Sequence, residues 1–243
     1  MGRIIRAFFS GEIPPVGDEL LLDEKESQHL AKVLRIQVGD SVQVLDGQGV
    51  MADCNITKVE RNSVLLEVME RNEAVRPKPF VHMVVSMTKA SRWEEIIRPL
   101  TEMGAGGITP LLSQRTEVRH PKEKLESKLL KWKKLAVEAC KQSGNAWLPK
   151  IDHPRTLDCI LNDPEDPLLM ASLRSTPSEA CLVFGGRAEK FSLIIGPEGG
   201  WTEKEENLAV EKGVLLFSLG PTVLRVETAA ICALAVARHG FLD

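Results

Sequence analysis

The sequence predicts an α/β protein in which a small β-rich domain, residues 1–72, precedes a parallel-sheet domain, residues 73–243. From Phe80 onward, apolar strands alternate with helical patterns, as in βαβ units. The first domain instead shows short strands separated by turn residues. Two glycine-containing loops near the end of the chain each lead from an apolar strand into a helix. Such strand-to-helix crossings are typical of binding loops at the edge of a parallel sheet.

Composition and charge limit the functional classes. With 243 residues, 43% of them hydrophobic, the chain is long enough for two domains with real cores. The net charge of −3 gives no bulk attraction to nucleic acid, so any RNA contact needs a local basic patch. The five cysteines are scattered without a CxxC pair, so neither disulfides nor a metal site is expected. No signal peptide or transmembrane-length apolar run occurs, so we expect a soluble cytoplasmic protein.

The first domain is predicted to combine short strands with one helix. Strands are expected over residues 4–9, 42–45, 51–59 and 64–68. A helix over residues 25–36 places Leu30, Val33 and Leu34 on an apolar face. The charged, proline-containing segment 70–79 lacks apolar periodicity and is typical of a linker.

The second domain shows regular alternation of strands and helices. Strands are expected over residues 80–87, 107–112, 168–173, 191–195 and 214–219, with helices over 91–104 and 121–143. The longer helix has one apolar stripe and lysines, Lys141 among them, over much of its remaining surface. A lysine-rich helix face is more often solvated than RNA-binding, and the residues alone leave both interpretations open.

The first glycine loop spans residues 196–201. Its three glycines permit positive φ and a close approach of backbone to a ligand, while Pro197 stiffens the turn. Thr202 and Glu205 form a capping box that opens the next helix. Taken alone, this loop is compatible with a ligand site and with a tight structural turn.

The second glycine loop leads from Leu219 to a helix that begins at Glu227 or Thr228. The following residues, 229–237, are all apolar, so this helix must be buried on nearly every side. It is too short to span a bilayer and therefore belongs to a core or a subunit interface. Arg225 and Glu227 lie at its start, where unpaired charges are costly.

The two loops together resemble a known family signature. GPEGGWTEKE at 196–205, followed by LGPTVLRVETA at 219–229, resembles the RsmE family of 16S rRNA uridine-N3 methyltransferases of the SPOUT class. HLAKVLR at 29–35, followed by VGD at 38–40, resembles the N-terminal pattern of that family. The resemblance implies a trefoil-knotted SPOUT domain preceded by a small PUA-like RNA-binding β-barrel. The sequence departs from the family pattern at Pro99 and Asn145.

The resemblance also implies S-adenosylmethionine as cofactor, held bent among three loops. The expected cofactor-binding residues are Leu173, Ile195, Gly196, Pro197, Gly199, Gly200, Leu219, Gly220, Leu224 and Thr228. Arg225 is expected to stabilise the uracil anion, with Glu198 or Glu227 as the base or as its orienting partner. A structural role for both carboxylates near helix N-termini is the alternative.

RNA contacts are expected from basic side chains of both domains, namely Arg3, Arg6, His29, Arg35, Lys89 and Arg92. The implied partners are the 16S rRNA within the 30S ribosomal subunit and a second copy of the chain in a homodimer. Two other functions are also compatible with the residues. One is a SPOUT methyltransferase acting on another rRNA or tRNA nucleotide, and the other is a non-catalytic RNA-binding relative.

Overall fold

The computed structural model describes residues 4–88, 90–116, 122–175 and 188–239. The chain forms two compact units. The first comprises Met1–Arg76 and Val137–Leu148, and the second comprises Pro77–Ala136 and Pro149–Asp243. The sequence-based division at residue 72 lies close to the first of these boundaries, and it assigned residues 137–148 to the other domain.

The first unit is built on a mainly antiparallel sheet. Its strands are β1 (Arg6–Phe8), β2 (Glu19–Leu21), β3 (Ser41–Leu45), β4 (Val50–Val59) and β5 (Val64–Glu73), in the spatial order β1-β3-β4-β5-β2. Only β1 and β3 pair in parallel among the described strands of this sheet. Alternate apolar residues of these strands form the core of the unit.

Strand β5 is longer than predicted. The expected linker over 70–79 is wrong for its first residues, because β5 continues through Glu73. Pairing with β4, irregular at Asp53 and Cys54, gives the backbone of this charged run its hydrogen-bond partners.

The predicted helix over residues 25–36 is also different. The structure has a short α1 (Glu24–Gln28), capped by Asp23, and then a π-helical segment over His29–Leu34. The wider winding of that segment changes the angular positions of its side chains. Leu30 is buried as predicted, whereas Val33 is 64% exposed and the prediction for it was wrong.

A buried ion pair lies in the first unit. Lys141, on the last turn of the longest helix, contacts Glu26 at 2.8 Å and Glu138 at 3.1 Å. Burial alone would lower the pKa of Lys141, but the hydrogen bonds and charges of the two carboxylates outweigh burial and raise this pKa. The helical pattern placed Lys141 among the lysines of the outer helix surface. The structure shows that Lys141 is buried instead, so this placement is wrong.

The second unit contains the predicted parallel sheet. Its strands are β6 (Phe80–Ser86), β7 (Gly107–Leu112), β8 (Lys150–Ile151), β9 (Arg155–Thr156), β10 (Leu168–Ala171), β11 (Lys190–Ile195) and β12 (Leu215–Phe217). They lie in the order β12-β10-β11-β6-β7-β8, with β9 also paired to β7. All pairings between described strands of this sheet are parallel, which confirms the predicted α/β class.

Helices cover this sheet. They are α2 (Ala90–Glu102), α3 (Lys122–Ser143), whose last turns belong to the first unit, α4 (Leu157–Asn162), α5 (Glu203–Glu211) and α6 (Val226–His239). The predicted inward residues of α2 are buried, namely Trp93, Ile96, Ile97 and Leu100. Trp93 packs edge-on against Trp132 of α3, with ring centroids 5.7 Å apart. Helix α2 runs through Pro99 without interruption.

Helix α6 packs against α2, β6 and β11. Its inner face, Ala230, Ala233, Leu234 and Ala237, is fully buried. Val236 is 42% exposed, and Ile231, Cys232 and Ala235 are only half-buried, so within one chain the helix keeps an accessible apolar face. Across the described ranges, no helix combines the length and apolar character needed to cross a membrane.

Candidate functional site

A cavity of about 440 Å³ lies beyond the carboxyl ends of β10, β11 and β12. Its walls are the segments 171–174, 195–201 and 218–224, apart from Pro221, together with three helical residues, Glu206, Val226 and Ala229. Parallel pairing brings the three strand ends to one edge of the sheet, where ligands bind in open α/β folds. Because β10 and β12 end earlier than predicted, Ser172, Leu173, Ser218 and Leu219 are free to line this cavity.

The first glycine loop is a tight turn. The N–H of Gly200 donates to the carbonyl of Pro197 at 2.8 Å, and Gly200 has a φ of +68°. At Gly196 an added Cβ would lie 2.7 Å from the ring of Trp201, so only glycine fits there without moving the indole. Glycine is therefore required at position 200 by the backbone conformation and at position 196 by the lack of space for a side chain.

The loop then enters α5 through the predicted capping box. The N–H of Thr202 donates to Glu205 Oε2 at 2.9 Å, and the N–H of Glu205 donates to Thr202 Oγ1 at 3.2 Å. Trp201 Nε1 donates to the carbonyl of Ala171 at 2.8 Å, which ties the first glycine loop to the end of β10. Two of the three cavity walls are thus joined by a direct hydrogen bond.

The second glycine loop has fewer supports. Gly220 adopts a φ of +126°, which L side chains rarely take. Its N–H donates to Ser218 Oγ at 3.2 Å, and the Ser218 hydroxyl in turn lies 3.1 Å from the Gly220 carbonyl. Leu219 and Leu224 are half-buried, whereas Val223 is 76% exposed.

A buried carboxylate in the cavity wall was missed by the sequence analysis. Glu206 is 8% exposed, and its Oε1 accepts from Ser172 Oγ at 2.5 Å. Its Oε2 accepts from Arg174 Nη1 at 3.2 Å. In the sequence, Glu206 is recognisable only as an acidic residue in the first turn of a helix. Acidic residues are favoured at helix N-termini for electrostatic reasons, so this position does not indicate a functional role.

Most of the predicted cofactor residues lie together. The cavity is lined by Leu173, Ile195, Gly196, Pro197, Gly199, Gly200, Leu219, Gly220 and Leu224, and also by Glu198. Thr228, Arg225 and Glu227 are not among the lining residues. The binding and catalytic roles of all these residues stay predictions.

The three predicted catalytic side chains make no hydrogen bond or ion pair with one another in the described ranges. Arg225 is exposed just before α6, and its guanidinium makes no hydrogen bond or ion pair with any residue in the described ranges. Glu198 forms an ion pair with Arg92 rather than with Arg225. Glu227 has a buried Oε2 without a hydrogen-bond partner among the described residues.

The predicted RNA-binding residues fall into several environments. Arg6 donates to Gln43 Oε1 at 2.9 Å and to the carbonyls of Lys141 and Gln142, both at 3.1 Å. Its Nε and Nη1 groups are therefore already used in hydrogen bonds within the first unit. Together with His29 it lines a cavity of about 490 Å³ in that unit.

Arg35 is exposed and has a left-handed φ of 54°, while Arg92 is paired with Glu198. Arg3 and Lys89 lie outside the described residues.

The cavity fits S-adenosylmethionine in size and chemistry. Its volume lies within the range of small-molecule sites, roughly 300 to 1,000 Å³. Ile195, Leu219 and Leu224 offer apolar surface for a flat purine, and the glycine loops offer backbone groups. The Glu206 carboxylate, already bonded to Ser172 and Arg174, has further acceptor capacity for a ligand rich in hydrogen-bond donors. Within the described ranges, no group of three or more potential metal ligands is found.

Two protein-family profiles match the chain, each mainly within one of the two units described above. The profile of an RNA methyltransferase domain matches residues 76–238. The profile of an RNA methyltransferase PUA domain matches residues 22–69. These matches place the cavity within the methyltransferase domain and most of the antiparallel sheet within the PUA domain.

Individual proteins are similar over most of the chain. Ribosomal RNA small subunit methyltransferase E from Synechocystis is 37% identical, over 88% of this chain and 71% of the relative. A methyltransferase from Legionella pneumophila, solved with bound S-adenosylmethionine, has a TM-score of 0.83 at 30% identity, with 97% of each chain covered. The small subunit methyltransferase E from Neisseria gonorrhoeae, also solved with S-adenosylmethionine, has a TM-score of 0.82 at 26% identity, with 96% of each chain covered.

Proposed function

The chain belongs to the ribosomal RNA small subunit methyltransferase E family, and from this premise we propose that it methylates N3 of a specific uridine of 16S rRNA. The methyl donor is S-adenosylmethionine. The observation on which the proposal rests is the cavity at the ends of β10, β11 and β12, walled by both glycine loops of the family signature. We place the reaction in the cytoplasm, where ribosomal subunits are assembled.

The residues of the cavity would hold the cofactor largely through backbone groups of the two loops, with Ile195, Leu219 and Leu224 against the purine. S-adenosylmethionine, when bound, supplies an electrophilic methyl group. The protein's own contribution is to orient the uracil and to stabilise charge.

Uracil N3 lies between two carbonyls, so removal of its proton leaves an anion delocalised over both oxygens. A guanidinium can donate two parallel hydrogen bonds to such an anion, and we assign this role to Arg225. Glu198 is already engaged by Arg92. Glu227, two residues along the chain from Arg225, is therefore the better candidate for orienting it or accepting the proton.

The proposed substrate is an assembled small subunit, or a late precursor, rather than free RNA. With a net charge of −3, the chain has no overall positive potential to bind an arbitrary RNA helix tightly. Recognition then depends on the shape that the RNA adopts in the subunit. Equal methylation rates on naked 16S rRNA and on intact 30S subunits would contradict this part of the proposal.

We also propose a homodimer. The outer face of α6 keeps Val236 exposed and Ile231, Cys232 and Ala235 half-buried, an apolar surface that a second copy can cover. Light scattering at micromolar concentration should give twice the chain mass. A stable monomer under these conditions would contradict the dimer.

The function is tested by mass spectrometry of nucleosides from 16S rRNA of cells that lack this chain. We expect 3-methyluridine to disappear and to return on complementation with the wild-type gene. Unchanged 3-methyluridine would refute the proposal. Loss of a different methylated nucleoside would instead identify another target, and no change in any nucleoside would favour a non-catalytic RNA-binding role.

A further inference from the structure

The first glycine loop is held by an arginine that lies outside the two glycine-loop motifs, 196–205 and 219–229. Arg115 follows β7, and its Nη1 donates to the carbonyl of Gly199 at 2.8 Å and to that of Trp201 at 3.1 Å. Arg115 is exposed and does not line the cavity. Arg115 therefore contacts the loop without forming part of the described cavity wall.

The turn that contains Arg115 also contacts the start of α5. The backbone N–H of Gln114 donates to Glu205 Oε1 at 2.9 Å, the second oxygen of the capping-box carboxylate. A Cβ added at Gly199 would lie 3.4 Å from Arg115 Cδ, so the aliphatic part of the arginine lies against this glycine. The turn thus supports both the loop and the helix that follows it.

The turn is itself anchored in the sheet. The N–H of Ser113 donates to Thr116 Oγ1 at 2.9 Å, and the hydroxyls of Thr116 and Ser86 lie 3.0 Å apart. All three residues are buried. Although the Arg115 side chain is exposed, the backbone from which it projects is fixed.

These contacts fix two peptide planes at both ends. In the plane between Gly199 and Gly200, the carbonyl is bound by Arg115 and the N–H by the carbonyl of Pro197. In the plane between Trp201 and Thr202, the carbonyl is bound by Arg115 and the N–H by Glu205. Since a peptide unit is rigid, the backbone between these planes has little freedom left.

We propose that Arg115 is a positioning residue for cofactor binding: it holds the first glycine loop in its binding-competent conformation without touching the ligand. The inference rests on the proposed function, because it takes S-adenosylmethionine as the ligand of the cavity. Preorganisation of this kind raises affinity by reducing the ordering cost of binding. An exposed arginine near an RNA-modifying site could instead serve as a phosphate contact, and the test separates these two roles.

The test is calorimetric titration of S-adenosylmethionine into the full-length wild-type, Arg115→Ala and Arg115→Lys proteins. We expect Arg115→Ala to weaken binding by roughly tenfold, because two charge-assisted hydrogen bonds to the loop are lost. Arg115→Lys keeps a charge with a less extended reach and should bind with intermediate affinity. Arg98→Ala is the matched control, because Arg98 is an exposed arginine of the same unit and should bind like the wild type.

Two further readouts separate the alternatives. If Arg115 only stabilised the fold, Arg115→Ala would lower the melting temperature of the ligand-free protein and leave cofactor affinity unchanged. If it only contacted RNA, the variant would raise KM for 30S subunits and leave cofactor affinity unchanged. Either result, with the wild-type protein binding S-adenosylmethionine, would overturn this inference alone. A wild-type protein that does not bind S-adenosylmethionine would overturn the proposed function, and this inference with it.

Discussion

The two glycine loops line the same cavity, but they are held in different ways. The first, residues 196–201, is tied to three other segments through Arg115, through the carbonyl of Ala171 and through Arg92. The second, residues 219–225, has polar contacts in the described structure only with its immediate chain neighbours, Ser218 and the first turn of α6. One loop is fixed by distant parts of the unit, and the other is fixed by its own ends.

The difference indicates that the two loops have different roles in cofactor binding. A loop braced from outside presents its backbone groups in one arrangement before any ligand arrives, so little conformational entropy is lost on binding. A loop held only at its ends can close over a ligand and can bring Arg225 toward a substrate. We therefore expect the first loop to set the orientation of the cofactor and the second to respond to it.

The strongest test of the second loop is Gly220→Val. At a φ of +126° a branched residue is strained, and relaxation of that strain moves the backbone beside the cavity. We expect S-adenosylmethionine affinity to fall by more than about 100-fold while the protein stays folded. Calorimetry and circular dichroism measure the two effects.

Gly213→Val is the control for this experiment. Gly213 has a φ of +78°, has open space around it like Gly220, and lies after α5 outside the cavity lining. It should lose a similar amount of stability and keep its cofactor affinity. Equal loss of affinity in both variants would show that strain alone, rather than loop position, explains the result.

The catalytic assignment in the second loop is tested by Arg225→Lys. The lysine keeps the charge and loses the planar fork, so kcat should fall by roughly 100-fold at saturating S-adenosylmethionine. Cofactor affinity should change little, because the interaction belongs to the transition state. Near-normal turnover at saturating cofactor would rule out the catalytic role and leave Arg225 as a brace of its loop.

A smaller effect is expected at Trp201, which joins the first loop to β10. Trp201→Phe keeps an aromatic ring at this position but removes the hydrogen bond from Nε1 to the Ala171 carbonyl, together with the part of the indole nearest Gly196. The loss of one neutral hydrogen bond costs about 1 kcal/mol, so cofactor affinity should fall roughly fivefold. Wild-type affinity in this variant would show that Arg115 and Arg92 suffice to brace the loop without the bond to β10.

The smallest change is expected for Glu198→Gln. In its ion pair with Arg92, the arginine side chain is 41% exposed and the glutamate side chain is 47% exposed. Ion pairs with this much solvent exposure contribute little to stability. Cofactor affinity should stay within about threefold of wild type, as measured by calorimetry. If Glu198 is instead the proton acceptor, kcat falls by far more than affinity, and the preference for Glu227 is wrong.

Local patterns in the sequence predicted much of this site. The apolar strands, the capping box of Thr202 and Glu205, and the glycine loops depend on neighbours in the chain, and the structure contains all of them. The wall formed by Ser172 and Glu206 and the brace from Arg115 depend on residues far apart in sequence. No periodicity or spacing signals such a pairing, so these contacts become visible only when the sheet order is known.

The errors in the first unit have a similar origin. A helical pattern assumes 3.6 residues per turn, and the π-helical segment over His29–Leu34 breaks that assumption at Val33. Lys141 has the composition of a surface residue, and only its distant partner Glu26 explains its burial. In both cases tertiary structure overrode a valid local rule.

Hydrogen exchange with and without S-adenosylmethionine tests the comparison between the loops most directly. We expect the amides of Gly200 and Thr202, whose N–H groups are already hydrogen-bonded, to be protected in the free protein and to change little when the cofactor is added. Amides of residues 219–225 should exchange rapidly in the free protein and become strongly protected on binding. Rapid exchange at both Gly200 and Thr202 in the free protein, or no change in the second loop at saturating cofactor, would contradict the proposed difference between the loops.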